Sequence, residues 1–194
     1  MNGEDLNEDE QRKRFEKAMG GFHAATAAPP QLADLIDKIE QAVIGHVLLP
    51  ARELATLIAI WIAGTYSFRL FRYVGYLALR SATPRCGKTR LLRLIAAFSD
   101  GNPPVTSIPT AATIFRSGRS VLLLDEVDKL RNSDRDTYGE VIAVLNVGFE
   151  RGAVIERCKR SKGGEFSIET FNAYGPKALA GVEGLADALS DRSF

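Results

Sequence analysis

A glycine, a lysine and a threonine stand in a row at residues 87–89, at the end of the run ATPRCGKT. A glycine-containing loop before a helix can hold a phosphate group, because its backbone N–H groups converge without a bulky side chain in the way. The lysine then reaches the terminal phosphates, and the threonine hydroxyl ligates Mg²⁺. The run therefore predicts a phosphate-binding loop. Its predicted contact residues are Ala82, Thr83, Pro84, Arg85, Cys86, Gly87, Lys88, Thr89 and Arg90.

The loop departs from the usual pattern at its first position, where Ala82 stands in place of glycine. Alanine is the smallest substitute, but it adopts a positive φ less cheaply than glycine does. We therefore expect phosphate binding to be retained and to be weaker than in a loop with glycine at this position.

Two acids end an apolar run at VLLLDE, with Asp125 placed 36 residues after Thr89. Hydrolysis of a nucleotide needs one carboxylate in the metal shell and a second that orients and polarises the attacking water. Acids also end strands simply because they reach solvent, but the distance from the loop favours the catalytic interpretation. We therefore assign Thr89 and Asp125 to the metal, and Glu126 and Lys88 to catalysis. A third acid, Asp128, is a weaker candidate that also fits a solvent-facing loop position.

Hydrolysis also needs cations that stabilise the charge on the transferred phosphate. Oligomeric ATPases usually take such a cation from a neighbouring subunit, and Arg192 follows a short predicted helical turn near the chain end. The alternative for Arg192 is a surface salt bridge with Asp187 or Asp191. A polar sensor residue is expected beside the acidic strand, with Asn146 and Asn172 as candidates, although either asparagine also suits a turn cap.

Four basic residues crowd a predicted hairpin whose strands are AVIERC and EFSIETF and whose turn is KRSKGG. They are Arg157, Lys159, Arg160 and Lys162. A few lysines and arginines suffice for nonspecific contact with a DNA backbone. The alternative is a solvated hairpin whose charges keep a sheet edge from aggregating. The turn itself contains no aromatic residue that would stack on bases, which weakens the case for DNA.

The order of elements predicts an α/β fold with three layers, in which helices cover a mostly parallel central sheet. Two helices precede the first strand, over residues 31–43 and 50–64, with Gly45 ending the first and Pro50 opening the second. The remaining predicted helices cover 87–97, 110–115, 137–150 and 184–189. The predicted core strands cover 74–80, 105–108, 121–125 and 178–182, apart from the hairpin.

The chain of 194 residues is long enough for one domain with a real core, which we expect over 31–194 after a flexible leader at 1–30. A net charge of +1 excludes a strongly basic protein. The charged N-terminus does not resemble a signal peptide, and the longest apolar run, at 54–63, is too short for a membrane span. Two cysteines suggest free thiols in a reducing compartment. We therefore expect a cytoplasmic protein with no membrane contact.

Four segments together resemble a family of P-loop domains found in phage, plasmid and actinobacterial proteins, often beside primase or helicase modules. The segments are YLALRSATPRCGKTRLL, VLLLDEVD, AVLNVGFERGAVIERC and FNAYGPKALAGVEGLADALSDRSF. The resemblance covers about 31–194. It implies an AAA+-like or RecA-like fold and ATP binding and hydrolysis coupled to DNA replication or remodelling in a mobile element. A homo-oligomeric ring is the assembly in which Arg192 would act on a neighbouring subunit. Against the family pattern we expect a short chain, which stops where a last core strand should begin and lacks the lid subdomain.

The sequence favours a Mg²⁺-dependent ATPase that acts as a DNA helicase or a replication-associated motor. An alternative is a nucleotide-binding regulator or scaffold without motor activity, which Ala82 and the short C-terminus favour. A small-molecule kinase shares the phosphate loop, but it generally lacks an adjacent Asp-Glu pair and needs an acceptor-binding lid that the sequence does not indicate.

Overall fold

The computed structural model describes residues 31–81, 83, 85–107, 110, 113–114, 121–132, 135–160, 166–181 and 187–194. The chain divides into two compact units, 1–35 and 36–194. The predicted leader at 1–30 lies outside the described residues. The architecture below concerns the second unit, apart from the first residues of helix α1.

Helices and strands alternate along most of the chain, as the sequence predicts. The helices are α1 (Leu32–His46), α2 (Glu53–Gly64), α3 (Lys88–Phe98), α4 (Arg135–Val147) and α5 (Asp187–Ser190). The strands are β1 (Leu77–Arg80), β2 (Val105–Ser107), β3 (Leu122–Asp125), β4 (Val154–Arg160), β5 (Phe166–Asn172) and β6 (Lys177–Gly181). Two 3-10 turns, Phe68–Leu70 and Val127–Asn132, follow α2 and β3.

Four strands form a parallel sheet in the order β1-β6-β3-β2. The predicted α/β class with a parallel sheet is therefore confirmed. Strand β6 comes last in the chain but lies between β1 and β3, where Arg80 pairs with Gly181 and Leu124 pairs with Leu179. The last residues of the chain run parallel beside β1, because Phe194 receives a hydrogen bond from the backbone of Ala78.

Successive side chains of the sheet enter two separate core clusters, since a strand points its residues alternately to opposite faces. Leu77, Leu79 and Leu123 join the first cluster with residues of α1, α2 and α3. Leu124 and Leu179 join the second cluster with Val141, Val144 and Leu145 of α4. Helices on both faces are compatible with a three-layer arrangement. The sheet is therefore buried on both sides, and its carboxyl edge is the part left open for a site.

Several boundaries differ from the prediction for local reasons. Strand β1 begins at Leu77 rather than 74, because the backbone of Val74 instead donates to Phe149. Helix α1 continues through Gly45 to His46, with Val47 donating to Val43. Helix α2 begins only at Glu53, so Pro50 lies before the helix and not in its first turn. Of the helix expected over 110–115, residues 113–114 are helical and most of the rest lies outside the described part.

The long apolar run at 54–63 is the body of α2, and five of its residues are buried. They include Ile58, Trp61 and Ile62, which lie in the first core cluster. The prediction of a buried helix is confirmed. None of the helices in the described ranges combines the length and the apolar character that crossing a bilayer requires.

A buried lysine fixes the entry into β6. The Nζ atom of Lys177 donates to the carbonyl oxygens of Gly148 at 3.0 Å, Ala173 at 2.9 Å and Gly175 at 3.0 Å. These bonds tie the end of the hairpin and the segment after α4 to the strand that separates β1 from β3. Burial lowers the pKa of Lys177 to about 7, because the ammonium group loses its hydration.

Replacing Lys177 with methionine is expected to change how stability depends on pH. The pKa is about 7 in the folded chain and roughly 10.4 in an unfolded one, so the folded chain binds fewer protons between these values. Wild-type stability therefore rises with pH in this window, by at most about 1.4 kcal/mol per pH unit from this group. Urea unfolding between pH 7 and 10 should show wild type gaining stability relative to Lys177→Met. Parallel pH curves for the two proteins would contradict the burial of this charge.

Candidate active site

The loop after β1 ends in a residue that needs the freedom of glycine. Gly87 has a φ of 96° and precedes the first residue of α3, and Leu91 donates its N–H to the Gly87 carbonyl. A Cβ atom at Gly87 would meet no atom within 4 Å, so the backbone angle and not space requires glycine. Arg85 also has a positive φ, of 60°. Ala82 and Pro84 lie outside the described residues, so the expected effect of Ala82 stays a prediction.

The side chain of Lys88 folds back over its own loop. Its Nζ atom donates to Ser81 Oγ at 2.6 Å and lies 3.5 Å from both the Thr83 carbonyl oxygen and Cys86 Sγ. Ser81 Oγ in turn donates to the Thr83 carbonyl at 2.7 Å. A hydrogen bond with Ser81 is the main cause that lowers the pKa of the exposed Cys86 thiol. Ser81 was missed in the sequence because it precedes the motif.

The two motifs meet at a hydrogen bond between Thr89 and Asp125. Thr89 Oγ1 donates to Asp125 Oδ2 at 2.6 Å, although the residues are 36 positions apart. The other oxygen, Asp125 Oδ1, accepts the N–H of Glu126 at 2.9 Å. Asp125 is buried, and both of its oxygens thus have defined partners. The hydroxyl and the carboxylate that the sequence assigned to one metal are therefore adjacent in space.

Glu126 holds an uncommon backbone conformation directly after β3. Its φ is 56°, in the left-handed region that costs an ordinary residue about 1–3 kcal/mol. The Glu126 side chain is 43% exposed, and its Oε1 atom lies 2.6 Å from Lys129 Nζ. The backbone N–H of Lys129 also donates to the Glu126 carbonyl, at 2.9 Å. The turn thus aims the carboxylate away from the strand and pairs it with a lysine three residues later.

A cavity of about 580 Å³ opens between the loop and the acidic strand end. It combines the cations of the loop with the acids that follow β3. Its lining comprises Arg85, Cys86, Gly87, Lys88, Thr89, Asp125, Glu126, Asp128, Lys129 and Gly181. Five of the nine predicted loop residues therefore share one cavity with Asp125 and Glu126.

Gly181, at the end of β6, leaves space in the wall of this cavity because it has no side chain. It ends β6, the strand between those that carry the two motifs. A Cβ atom at Gly181 would lie 2.8 Å from Asp128 Oδ1 and 3.1 Å from Val127 Cγ2. A side chain there would force the Asp128 and Val127 side chains to shift, so glycine leaves room for both at this wall of the cavity.

A second cavity, of about 430 Å³, adjoins the loop on its other side. Cys86, Gly87 and Lys88 line both cavities. The rest of its described wall is mainly apolar and comes from 47–50, from α2, from β1 and the following Ser81, from Leu91 of α3 and from Phe194. Sequence reasoning missed this wall, because its apolar residues look like ordinary core until the fold brings them beside the loop.

Two predicted contributors lie away from these cavities. Arg90 is exposed on the first turn of α3 and lines neither of them. Asn172 accepts the backbone N–H of Tyr174 at 3.0 Å, before the amino end of β6. The acids and the loop lie at the carboxyl ends of their strands, so Asn172 acts as a turn cap at the opposite edge of the sheet and not as a sensor.

Arg192 packs on its own chain. Its Cζ atom lies 4.8 Å from the ring centroid of Phe149, and Nη1 lies 3.5 Å from Asn146 Oδ1. Its carbonyl accepts the N–H of Tyr76, just before the amino end of β1. Arg192 and Asn146 are therefore far along the strand direction from the loop that follows β1. A role for Arg192 toward a neighbouring subunit stays a prediction.

The predicted hairpin is confirmed, with β4 and β5 antiparallel from Val154 opposite Asn172 to Arg160 opposite Phe166. Arg157 forms an ion pair with Glu140 of α4. Lys162 and the side chains of Lys159 and Arg160 lie outside the described part of the structure. An aromatic residue does stand near the turn, because Phe166 is 73% exposed at the start of β5.

Comparisons with known proteins add no relative to this picture. No protein-family model matches the chain, and no curated protein matches it significantly. Any functional conclusion therefore depends on the residues and the geometry of the site.

Proposed function

We propose that this chain is a Mg²⁺-dependent ATPase of AAA+-like architecture. The observation that carries the proposal is the 2.6 Å hydrogen bond between Thr89 and Asp125, because it joins two sequence motifs at one cavity. A phosphate loop alone would fit many nucleotide-binding proteins. A loop that meets two adjacent acids fits phosphoryl transfer to water, since it supplies phosphate binding and a general base together.

Several described residues of the cavity have a role in this reaction. Backbone N–H groups at the start of α3 and the Lys88 ammonium hold the phosphates. Glu126 accepts a proton from a water molecule while the water oxygen forms a bond to the terminal phosphorus. The bond between that phosphorus and the oxygen of the middle phosphate breaks, so ADP and inorganic phosphate leave.

The oxygen atoms of Thr89 and Asp125 suit a magnesium ion better than a metal that takes all of its ligands from protein side chains. In the described ranges, no group of three or more His, Cys, Asp and Glu residues is arranged to hold a metal. Mg²⁺ typically uses one or two protein oxygens together with phosphate oxygens and water. Thr89 Oγ1 and Asp125 Oδ2 supply such a pair. When bound, the ion would neutralise part of the negative charge on the phosphates.

The apolar cavity beside the loop suits the base and ribose of the nucleotide. It shares Cys86, Gly87 and Lys88 with the phosphate cavity, so a ligand that fills both passes over the loop. Nucleotide bases prefer concave, mainly apolar pockets in which a few polar groups set the orientation. This arrangement supports a nucleotide rather than a free phosphate or polyphosphate as the ligand.

Replacing Leu54 with glutamate is expected to weaken ATP and ADP binding to a similar degree, by about tenfold, because it places a charge on the apolar wall. Leu54 is 38% exposed on α2, so folding should survive. Ile60→Glu is the matched control, since Ile60 is 52% exposed on the same helix and does not line the cavity. Titration with a fluorescent nucleotide measures both. If the two variants bind nucleotide with equal affinity, the adenine base does not occupy the apolar cavity.

The strand order supports the AAA+-like part of the proposal. Strands β1 and β3, which carry the two motifs, are separated by β6, and the chain end returns beside β1. A strand between the two motif strands is compatible with the AAA+-like fold that the resemblance implies. Because one fold serves many functions, the site and not the strand order carries the assignment of activity.

A nucleotide-binding regulator without turnover is the second candidate. The observation that favours it is the pairing of Glu126 with Lys129, which occupies the carboxylate that hydrolysis requires. The packing of Arg192 against Phe149 points the same way, because the predicted finger is engaged within its own chain. Such a protein would bind ATP tightly and release phosphate no faster than the uncatalysed reaction.

The proposal also includes coupling of ATP hydrolysis to DNA, which the β4–β5 hairpin would contact. The basic residues that the sequence places on the hairpin are expected to contact a DNA backbone. Phe166, which is exposed at the start of β5, offers a surface on which a base can stack. The experiment is steady-state phosphate release from ATP by the full chain, alone and with single- or double-stranded DNA. Turnover that DNA accelerates supports the motor, turnover that ignores DNA supports an ATPase of another kind, and absence of turnover with ATP bound supports the regulator.

A further inference from the structure

Lys129 is a cation of the phosphate cavity to which no role has been assigned so far. It lies in the 3-10 turn Val127–Asn132 that follows the acidic strand end. Its ammonium group lies 2.6 Å from Glu126 Oε1, and its side chain is 51% exposed. Lys129, Glu126 and Lys88 all line the same cavity. The position is therefore within reach of a ligand that fills the cavity from the loop side.

The cations of this cavity come from two walls. Among the described lining residues, Arg85 and Lys88 belong to the loop after β1, and Lys129 alone belongs to the acidic wall after β3. Three carboxylates, on Asp125, Glu126 and Asp128, share that wall. A nucleoside triphosphate held by the loop would direct its terminal phosphate at this wall, where repulsion from the carboxylates has to be balanced.

Lys129 carries its charge firmly while the cavity holds no nucleotide. The hydrogen bond with Glu126 raises the pKa of Lys129, with smaller contributions from Asp128 and Asp125. An exposed ion pair of this kind is weak, so it exchanges readily for a stronger partner. The terminal phosphate of ATP is such a partner, because the whole group carries more negative charge than one carboxylate.

We propose that Lys129 binds the terminal phosphate of ATP, and that it pairs with Glu126 only when this phosphate is absent. The proposal rests on the proposed ATPase function. Entry of the triphosphate draws the ammonium group from Glu126 to the phosphate. Glu126 is thereby released to accept a proton from water. ADP lacks the third phosphate and leaves the pair intact, so the lysine distinguishes the two nucleotides and prepares the base in one movement.

The alternative is a solvated ion pair with no role in binding. The site argues against it, because the pair stands inside the cavity and engages the carboxylate expected to act as the base. Arg192 of the same chain does not place a positive charge beside the terminal phosphate, since it packs on Phe149 near the amino end of β1. Lys129 is therefore the described side chain best placed to meet the terminal phosphate from the acidic wall.

The test compares the full chain with Lys129→Gln and Lys129→Arg by equilibrium titration with ADP and with AMP-PNP, a non-hydrolysable ATP analogue. Lys129→Gln is expected to raise the AMP-PNP Kd about tenfold and the ADP Kd less than twofold, because only the analogue has the third phosphate. Lys129→Arg should restore most of the preference for AMP-PNP. Thermal unfolding of each variant checks that the fold is retained.

A double-variant cycle with Glu126→Gln separates phosphate binding from a purely structural role. Glutamine removes the charge that competes for Lys129, so Glu126→Gln alone should bind AMP-PNP about threefold more tightly than wild type. The gain should vanish in the Glu126→Gln/Lys129→Gln double variant. If Lys129 had only a structural role, its replacement would change the Kd values for ADP and AMP-PNP equally, and the effect of Glu126→Gln would not depend on Lys129.

The outcomes distinguish this inference from the proposed function. If wild type binds AMP-PNP and Lys129→Gln changes both Kd values equally or neither, the role of Lys129 is overturned while nucleotide binding stands. If wild type binds neither nucleotide, the proposed function itself fails. If Lys129→Gln unfolds, Lys129→Arg decides, because a preference for AMP-PNP kept by arginine supports the inference and its loss overturns it.

Discussion

Glu126→Gln is expected to lower ATP turnover by a factor of about 10²–10⁴ without weakening ATP binding. Glutamine keeps the size of the side chain but cannot accept the proton of the attacking water. Binding should persist, because the phosphates are held by the loop and Lys88, whereas Glu126 projects from the opposite wall of the cavity. Phosphate release and nucleotide titration on the same preparation measure the two effects.

Asp128→Asn is the matched comparison for this variant. Asp128 lines the same cavity two residues later, and its Oδ1 atom lies near Gly181 at the end of β6. We expect Asp128→Asn to lose much less turnover than Glu126→Gln. If Asp128→Asn abolishes turnover and Glu126→Gln retains it, the base is Asp128, and the assignment drawn from the sequence is wrong.

Lys88→Met is expected to raise the ATP Kd by about 10- to 100-fold, with turnover falling below detection at ordinary ATP concentrations. Methionine keeps the length and the apolar part of the side chain but loses the charge. The Lys88 ammonium now bonds to Ser81, so it lies at the loop and within reach of a bound phosphate. Folding should change little, because Lys88 is only partly buried.

Arg93→Met serves as its control. Arg93 lies on the same helix, is exposed, and lines neither described cavity. Its loss removes one positive charge near the loop without removing a contact, so ATP affinity should stay within about twofold of wild type. Equal weakening by both variants would mean that general charge, and not the position of Lys88, attracts the nucleotide.

The loop and the acid pair could be predicted from the sequence because their signals are local. Gly87 has a positive φ, Lys88 and Thr89 follow it directly, and Asp125 ends a short apolar run that is typical of a buried strand. Local patterns also predict the hairpin and the buried helix α2. In each case the residues that determine the feature lie within one element or one turn.

The other features of the fold and the site depend on contacts between segments that are distant in the sequence. Nothing local says that β6 lies between β1 and β3, or that its last residue, Gly181, lines the wall of the cavity. The pairing of Lys129 with Glu126 follows from the turn after β3, whose left-handed start at Glu126 has no clear sequence signal. Asn172 was a wrong candidate for a sensor, since the sequence cannot show at which edge of the sheet a loop residue lies.

Single-turnover hydrolysis is the most direct test of the central claim that the loop and the acid pair form one ATP-hydrolysing site. An excess of the full chain is mixed with ATP in Mg²⁺ or in EDTA, and ADP and phosphate are quantified over time. We expect one ADP and one phosphate per ATP in Mg²⁺, and none above background in EDTA or with Lys88→Met. ATP that remains intact in Mg²⁺, or that is cleaved equally by wild type and Lys88→Met, would contradict ATP hydrolysis at this site.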